Sequence, residues 1–178
     1  KLERIWCFVV RHSHCYGNKG CGLRVRGWDG FILDNWRTGN GKAGYASYDE
    51  NSSNTITGNR IEWNREGGIV IYGGSHYNIT GNYIDRSGRC GIALLKGRDR
   101  GCETFAVTGN VIYRSGKPEW GKGDDYDSSH VRIEGARGLT FIGNALNSGR
   151  DDGGQGTYSP DYGIVLKGLE SSIVKDNV

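Results

Sequence analysis

One short phrase recurs in the middle of the chain at a fixed distance. The tetrapeptide I-T-G-N ends at Asn59 and again at Asn82, 23 residues later. A second marker, G-I-x-[IL], begins at Gly68 and again at Gly91, also 23 residues later. Two different markers that repeat with one period indicate a solenoid, in which each repeat forms one coil and stacks on the next. No other feature of the sequence constrains the fold as strongly.

Both markers extend along most of the chain. The turn asparagines are Asn35, Asn59, Asn82, Asn110, Asn144 and Asn177, and the first inward residues of the glycine-led strands are Leu23, Tyr45, Ile69, Ile92, Val131 and Ile164. Alternating apolar residues in short runs between glycines are typical of β-strands joined by turns. We therefore expect burial of Ile56, Ile69, Ile79, Ile92 and Ile164. Arg37 interrupts an apolar column that otherwise follows each asparagine by two residues.

Composition supports a core made of short apolar strands. The hydrophobic share is 35% and the chain has 31 glycines, without the G-X-Y period of collagen. The formal net charge of +3 is too small to indicate a nucleic-acid partner, and no apolar run is long enough to span a membrane. We therefore expect neither nucleic acid nor a membrane as a partner.

Three short strands per coil of about 23 residues resemble the right-handed parallel β-helix of the pectin-lyase-like superfamily. The motifs that carry the resemblance are G-I-V-I at residues 68–71 and N-I-T-G-N at residues 78–82, with their echoes from Leu23 onward. The resemblance implies an all-β parallel β-helix of about 6–7 coils, with its turn asparagines stacked in a ladder.

We expect one domain over residues 1–178, with an irregular first coil at residues 1–22 and regular coils from about residue 23. Nothing after Val178 would cap a final coil, so we expect the solenoid to continue or to pack end to end on further coils or another chain.

Two consecutive coils carry long insertions at the same turn, at residues 113–129 and 147–162. Strands of successive coils lie about 4.8 Å apart, so these loops should rise side by side on one rim. Clustered carboxylates near a histidine could act as acid, base or Ca²⁺ ligands, although the same residues also form ordinary turns. The candidate catalytic residues are Asp124, Asp125, Asp127, His130, Arg132, Asp151 and Asp152, and the aspartates among them are the candidate Ca²⁺ ligands.

The residues on the outer face of the strands that follow these loops can be predicted, because alternate residues of a strand point to opposite sides. Arginine, tyrosine and lysine recur there, as expected of a surface for an extended polar polymer, although any solvated sheet carries some charge. The candidate substrate-binding residues on this face and its loops are Arg24, Arg26, Tyr48, Tyr72, Lys96, Glu134, Tyr158 and Lys167.

The resemblance implies an exported, secreted or periplasmic carbohydrate-active protein whose partner is a polysaccharide. Family members include lyases, which use a Lys or Arg base with Ca²⁺ or Arg neutralising a uronate, glycoside hydrolases with paired carboxylates, and epimerases. The competing class is a non-catalytic, glycan-binding or structural β-helix, such as an adhesin or a tail-spike segment. A zinc site among Cys7, His12, His14, Cys15 and Cys21 is a weaker hypothesis, because paired C-x-x-C spacing is missing.

Overall fold

The computed structural model describes residues 1–48, 50–117, 123–154 and 156–178. In this part of the chain the regular structure is β-strand apart from one short 3-10 helix, Asp125–Asp127, and no helix is long and apolar enough to cross a membrane. The strands are β1 (Leu2–Trp6), β2 (Val9–Arg11), β3 (His14–Tyr16), β4 (Leu23–Leu33), β5 (Trp36–Thr38), β6 (Ala43–Ser47), β7 (Ser52–Thr57), β8 (Arg60–Glu62), β9 (Gly67–Tyr72), β10 (Gly74–Thr80), β11 (Tyr83–Asp85), β12 (Ile92–Leu95), β13 (Cys102–Thr108), β14 (Val111–Tyr113), β15 (Ser129–Glu134), β16 (Ala136–Ile142), β17 (Ala145–Asn147), β18 (Gly149–Arg150), β19 (Thr157–Tyr158), β20 (Tyr162–Lys167) and β21 (Ile173–Lys175).

These strands form three parallel sheets that run along the solenoid. Sheet A contains β1, β2, β4, β7, β10, β13, β16 and β21, and sheet B contains β3, β5, β8, β11, β14 and β17. Sheet C contains β6, β9, β12, β15 and β20, and it joins sheet A through the long strand β4. Strands β18 and β19 form a separate antiparallel hairpin inside the second long loop. Each full coil passes from sheet A through the asparagine turn to sheet B, and then to sheet C.

Equivalent residues of successive coils lie directly opposite one another. Ile56 pairs with Ile79 in sheet A, and Ile69 pairs with Ile92 in sheet C. The inward side chains therefore stack into columns, and each of these four isoleucines is fully buried. The prediction of an all-β, right-handed parallel β-helix is confirmed.

Ile164 departs from the predicted burial. It lies on β20, at the edge of sheet C, where it pairs only with Val131 of β15. Its side chain is consequently half-buried, although it still packs against the core.

The glycine that opens the sheet C marker is required by close packing. A Cβ at Gly68 would lie 2.4 Å from the Gly91 carbonyl oxygen, and a Cβ at Gly91 would lie 2.5 Å from Ile112 Cγ2. Any larger residue would push the neighbouring coil away, so the G-I-x-[IL] pattern follows from the spacing of the coils.

The asparagine ladder forms as predicted. Each side-chain amide donates to the side-chain oxygen of the next asparagine, at 2.9 Å for the pairs from Asn35 to Asn144 and 3.0 Å for the pair Asn144–Asn177. The structure adds a second ladder that the sequence analysis missed. It runs at the turn between sheets B and C, where Asn18 donates to Asn40 and Asn40 to Asn64, both at 2.8 Å.

The two long loops adjoin as expected. Residues 118–122 of the first loop and residue 155 of the second lie outside the described residues. The Tyr158 hydroxyl donates to the Lys117 carbonyl at 2.7 Å, and the Asp161 amide donates to Ser128 Oγ at 3.0 Å. The loops therefore pack against each other on the rim between sheets B and C.

Candidate functional site

A trough runs along the outer face of sheet C. Its floor consists of three small residues in register, Ala46, Val70 and Ala93, which pair across β6, β9 and β12. Larger side chains flank this floor, and a cavity of about 430 Å³ lies over it. We call this surface the sheet C groove and define it by Arg24, Ala46, Tyr48, Val70, Tyr72, Ala93, Leu95 and Arg132.

Two tyrosines form one wall of the groove. The rings of Tyr48 and Tyr72 meet edge to face with centroids 5.7 Å apart, and the guanidinium of Arg24 lies 5.1 Å from the Tyr48 ring centroid. Burial raises the pKa of both phenols, so both are neutral near pH 7. The structure thus places Arg24, Tyr48 and Tyr72 on the groove, as the alternation of the strands predicts.

The opposite wall carries charges that the sequence analysis did not single out. Lys42 Nζ lies 3.6 Å from Glu66 Oε1, and Arg89 Nε lies 3.7 Å from Asp127 Oδ2. Lys42, Glu66 and Arg89 each stand two residues before the glycine of the repeating sheet C marker. That spacing is visible in the sequence and could have identified them.

Arg132 marks the far end of the groove and binds three carboxylates. Its Nη1 lies 2.8 Å from Asp124 and 3.2 Å from Asp127, and its Nη2 lies 2.8 Å from Glu134. Desolvation raises the pKa of Asp124, but the hydrogen bond and charge of Arg132 outweigh it, so the pKa is lowered overall. A cavity of about 390 Å³ lies here and is lined by Asp124, Asp125, Tyr126, Arg132, Glu134, Tyr162 and Lys167.

The aspartates of the second loop do not join this cluster, so the candidate catalytic residues fall into two separate groups. Asp151 accepts from Arg86, with 2.7 Å between Nη2 and Oδ1, and Asp152 pairs with Arg114. Arg114 also binds Asp85, with 2.9 Å between Nε and Oδ1. Both arginines stand just after sheet B strands and are nearly buried, so they require counter-charges and take them from the second loop.

His130 and Tyr158, two further candidate site residues, lie away from the groove. His130 is buried, its Nε2 lies 3.4 Å from Ser148 Oγ, and burial lowers its pKa to about 4. Tyr158 is buried as well, with its ring centroid 4.1 Å from the Arg86 guanidinium. His130 lies under the second loop beside Ser148, and Tyr158 belongs to that loop and packs on Arg86, so neither faces the groove.

A shorter loop, residues 96–101, follows β12 and borders the groove on the side of the tyrosine wall. Glu50 holds it by accepting from the amides of Asp99 at 2.8 Å and Arg100 at 3.2 Å. Arg26 lines a small cavity of about 250 Å³ beside this loop, together with Tyr48, Glu50, Arg98 and Asp99. Lys96 is exposed on the same edge.

Metal binding has no support from this geometry. Among residues 1–48, 50–117, 123–154 and 156–178, no group of three or more His, Cys, Asp or Glu side chains is arranged to hold a metal ion. Ca²⁺ was expected at Asp124, Asp125, Asp127, Asp151 and Asp152, but Asp124 and Asp127 pair with Arg132, whereas Asp151 pairs with Arg86 and Asp152 with Arg114. The zinc hypothesis for the N-terminal cysteines and histidines gains no support either.

Comparisons with known proteins agree with the architecture. Residues 4–178 match the family described as "Right handed beta helix region". The crystal structure of the Dettilon tailspike protein is similar with a TM-score of 0.70 at 14% identity, over 99% of this chain and 35% of that chain. The A-module of a mannuronan C-5 epimerase from Azotobacter vinelandii matches with a TM-score of 0.44 at 13% identity, over 98% of this chain and 59% of that one. The chain therefore spans about a third of the tailspike's length, and that likeness establishes the shared fold alone.

Proposed function

The chain belongs to the right-handed β-helix family, and from that premise we propose that it binds an extended, acidic polysaccharide along the sheet C groove. The observation that carries the proposal is the trough of small residues between a tyrosine wall and a charged wall. Arg24 and Arg132 stand at its ends, four coil steps apart, which is about 19 Å at about 4.8 Å per coil. A long, narrow, open groove suits a linear polymer better than a compact small molecule.

The chemistry of the walls favours sugar units that carry acid groups. Tyr48 and Tyr72 offer apolar ring surface together with neutral hydroxyls, which suits a ligand with both apolar and polar faces. Arg24, Lys42 and Arg89 offer cations on the same surface, and a guanidinium can bind a carboxylate or sulfate with two parallel hydrogen bonds. Acidic polysaccharides occur mainly outside cells, so the proposal implies an extracellular site of action.

Filling the floor of the groove tests this proposal. Ala93→Phe should weaken binding of acidic polysaccharides at least tenfold, because the new ring would occupy the trough. Ala106→Phe is the matched control, since Ala106 lies on the outer face of sheet A, in register with Asn78 and Thr140. Affinities would be measured by calorimetry against uronate-rich, sulfated and neutral polysaccharides. Equal effects of the two variants, or equal binding of neutral and acidic polymers, would contradict the proposal.

A second candidate function is cleavage of the bound polymer, as a lyase or a glycoside hydrolase. Its support is that two carboxylates, Glu66 and Asp127, line one cavity with Arg89 beside Tyr72. Paired carboxylates can supply an acid and a base or nucleophile, and an arginine can neutralise a uronate. Asp124, Asp125 and Arg132 adjoin this pair and remain candidates for the same reaction.

Product analysis separates the two candidates. A lyase releases unsaturated ends that absorb in the ultraviolet, whereas a hydrolase releases reducing ends without that absorbance. If the chain cleaves, Asp127→Asn and Glu66→Gln should abolish product formation while polymer binding is retained. Tight binding of an acidic polymer with neither product would leave the non-catalytic binding role as the function.

A further inference from the structure

A further cavity lies at the N-terminal end of the sheet C groove. Its volume is about 450 Å³, and the side chains that line it are those of Lys1, Lys19, Cys21, Arg24, Lys42 and Tyr48. Lys42 and Tyr48 also line the cavity over the groove floor, so the two spaces adjoin. Four of the lining residues are cations, and none of the described residues that line it is a carboxylate. We call this space the basic cavity.

Short turns leave the basic cavity open. Later coils carry long loops between sheets B and C, whereas the first two coils have only short turns there. Backbone hydrogen bonds join these two turns, from the Gly41 amide to the Asn18 carbonyl at 2.7 Å and from the Lys42 amide to the Gly20 carbonyl at 3.1 Å. Lys19 and Lys42 therefore stand on adjacent coils at the same rim.

The positive charge of the basic cavity is only partly neutralised. Lys42 lies 3.6 Å from Glu66 and Lys1 lies 2.8 Å from Glu3, and both of these carboxylates stand outside the cavity lining. Lys19 is exposed and forms no ion pair with any residue that the structure describes. The cavity consequently keeps a positive potential, which attracts anionic groups.

The opposite end of the groove differs in charge. Arg132 is already bound by three carboxylates, so an anionic ligand gains little there. In the basic cavity the cations stand at three separate positions, those of Lys19, Arg24 and Lys42. A sulfate or phosphate ester presents three oxygens in different directions, which suits several separate cations. A carboxylate presents two oxygens in one plane, and a single guanidinium satisfies both.

We propose that the basic cavity binds a sulfate or phosphate ester carried by the polysaccharide, and that this end of the groove, rather than Arg132, recognises the acid group. The inference rests on the proposed binding of an acidic polysaccharide, and it adds which acid group is recognised and where. Because only one end of the groove is basic, it also gives the groove a direction along which the polymer is read.

Lys19→Gln tests this subsite on the full chain, since Lys19 is exposed and its side chain supports no core packing. The affinity for a sulfated or phosphorylated polysaccharide should fall about fivefold, as expected for the loss of one exposed ion pair. The affinity for the same polymer after removal of the esters should stay unchanged. Lys175→Gln, at an exposed position of sheet A, is the matched control. An equal loss with and without the esters, or a loss confined to uronate polymers, would overturn the proposal.

Cys21 provides a readout inside the cavity. Its thiol is half-buried, with Sγ 3.6 Å from the Tyr48 hydroxyl. Alkylation by iodoacetamide, followed by peptide mass spectrometry, should become slower at Cys21 when the ester-bearing polymer is bound, and should be unchanged at the exposed Cys7. Unchanged alkylation of Cys21 would refute the site. Equal protection by inorganic sulfate or phosphate at the same concentration of anionic groups would identify a free-anion site and refute the polymer subsite.

The result can be separated from that for the groove itself. If Ala93→Phe has no effect while Lys19→Gln and Cys21 respond as expected, the basic cavity stands and the polymer does not follow the groove. If Ala93→Phe weakens binding while Lys19→Gln leaves the affinity for ester-bearing polymers unchanged, the groove stands and the basic cavity is refuted.

Discussion

Arg86 and Asp151 are 65 residues apart in the sequence, and their side chains meet with 2.7 Å between Arg86 Nη2 and Asp151 Oδ1. Arg86 also lies under the ring of Tyr158 and beside that of Trp63. This contact fixes the second long loop on the rim between sheets B and C. It explains why the acidic residues of that loop stay apart from the cluster around Arg132.

Asp151→Asn should therefore loosen the second loop without affecting the groove. The variant leaves the nearly buried Arg86 without its carboxylate, so limited proteolysis within residues 147–162 should become faster. Polysaccharide affinity should stay unchanged. Asp161→Asn, at an exposed position of the same loop, is the control. Loss of binding without faster proteolysis would show that Asp151 acts on the ligand after all.

Tyr72→Ala should weaken polysaccharide binding, because it removes half of the tyrosine wall. The expected loss is about 0.5–1.5 kcal/mol of binding free energy, typical for one aromatic contact. Calorimetric titration with the best acidic polymer measures it. Tyr16→Ala is the matched control, since Tyr16 is exposed on sheet B. An equal loss in the control would point to a binding surface other than the sheet C groove.

Asn82→Ala should destabilise the fold by at least about 2 kcal/mol, because it leaves several buried polar groups without partners. The Asn82 side chain donates to the Ile56 carbonyl and to Asn110, and it accepts from the amide and side chain of Asn59. Urea unfolding measures the change. Asn78→Ala lies on the exposed face of the preceding strand and should change stability by less than about 0.5 kcal/mol. Equal effects of the two substitutions would argue against a stabilising ladder.

His130 should make stability depend on pH. Its pKa is lowered to about 4 in the folded protein, whereas the unfolded chain titrates near the ordinary value of 6.5. Below that ordinary value the unfolded chain binds a proton that the folded protein rejects. The free energy of unfolding should therefore fall as the pH drops from about 6.5 to about 4, by up to about 1.4 kcal/mol per pH unit. His130→Gln should lose this part of the dependence in urea titrations. Parallel pH profiles for both proteins would contradict the buried, neutral imidazole.

Much of the fold could be predicted from the sequence, because it depends on a local rule repeated in every coil. Alternate residues of a strand point in and out, so the register of one coil predicts the others. That rule correctly placed Ile69 and Ile92 inside, Tyr48 and Tyr72 outside, and the turn asparagines in one ladder. The charged wall residues Lys42, Glu66 and Arg89 recur at a constant distance before the marker glycines. This spacing is present in the sequence but was not used in the prediction.

The charged contacts were decided by the tertiary structure alone. Long side chains reach across coils. The partner of Asp151 therefore depends on which buried arginine lies nearby and lacks a counter-charge. No repeat period in the sequence encodes that choice. The same holds for Arg37, whose inward position the register implied, while its unsatisfied guanidinium became visible only once the neighbouring side chains were in place. The sequence by itself determined the coils and their columns, because stacking repeats a local pattern. Only the tertiary structure decided which charges meet, because ion pairs depend on distances between residues far apart in the chain.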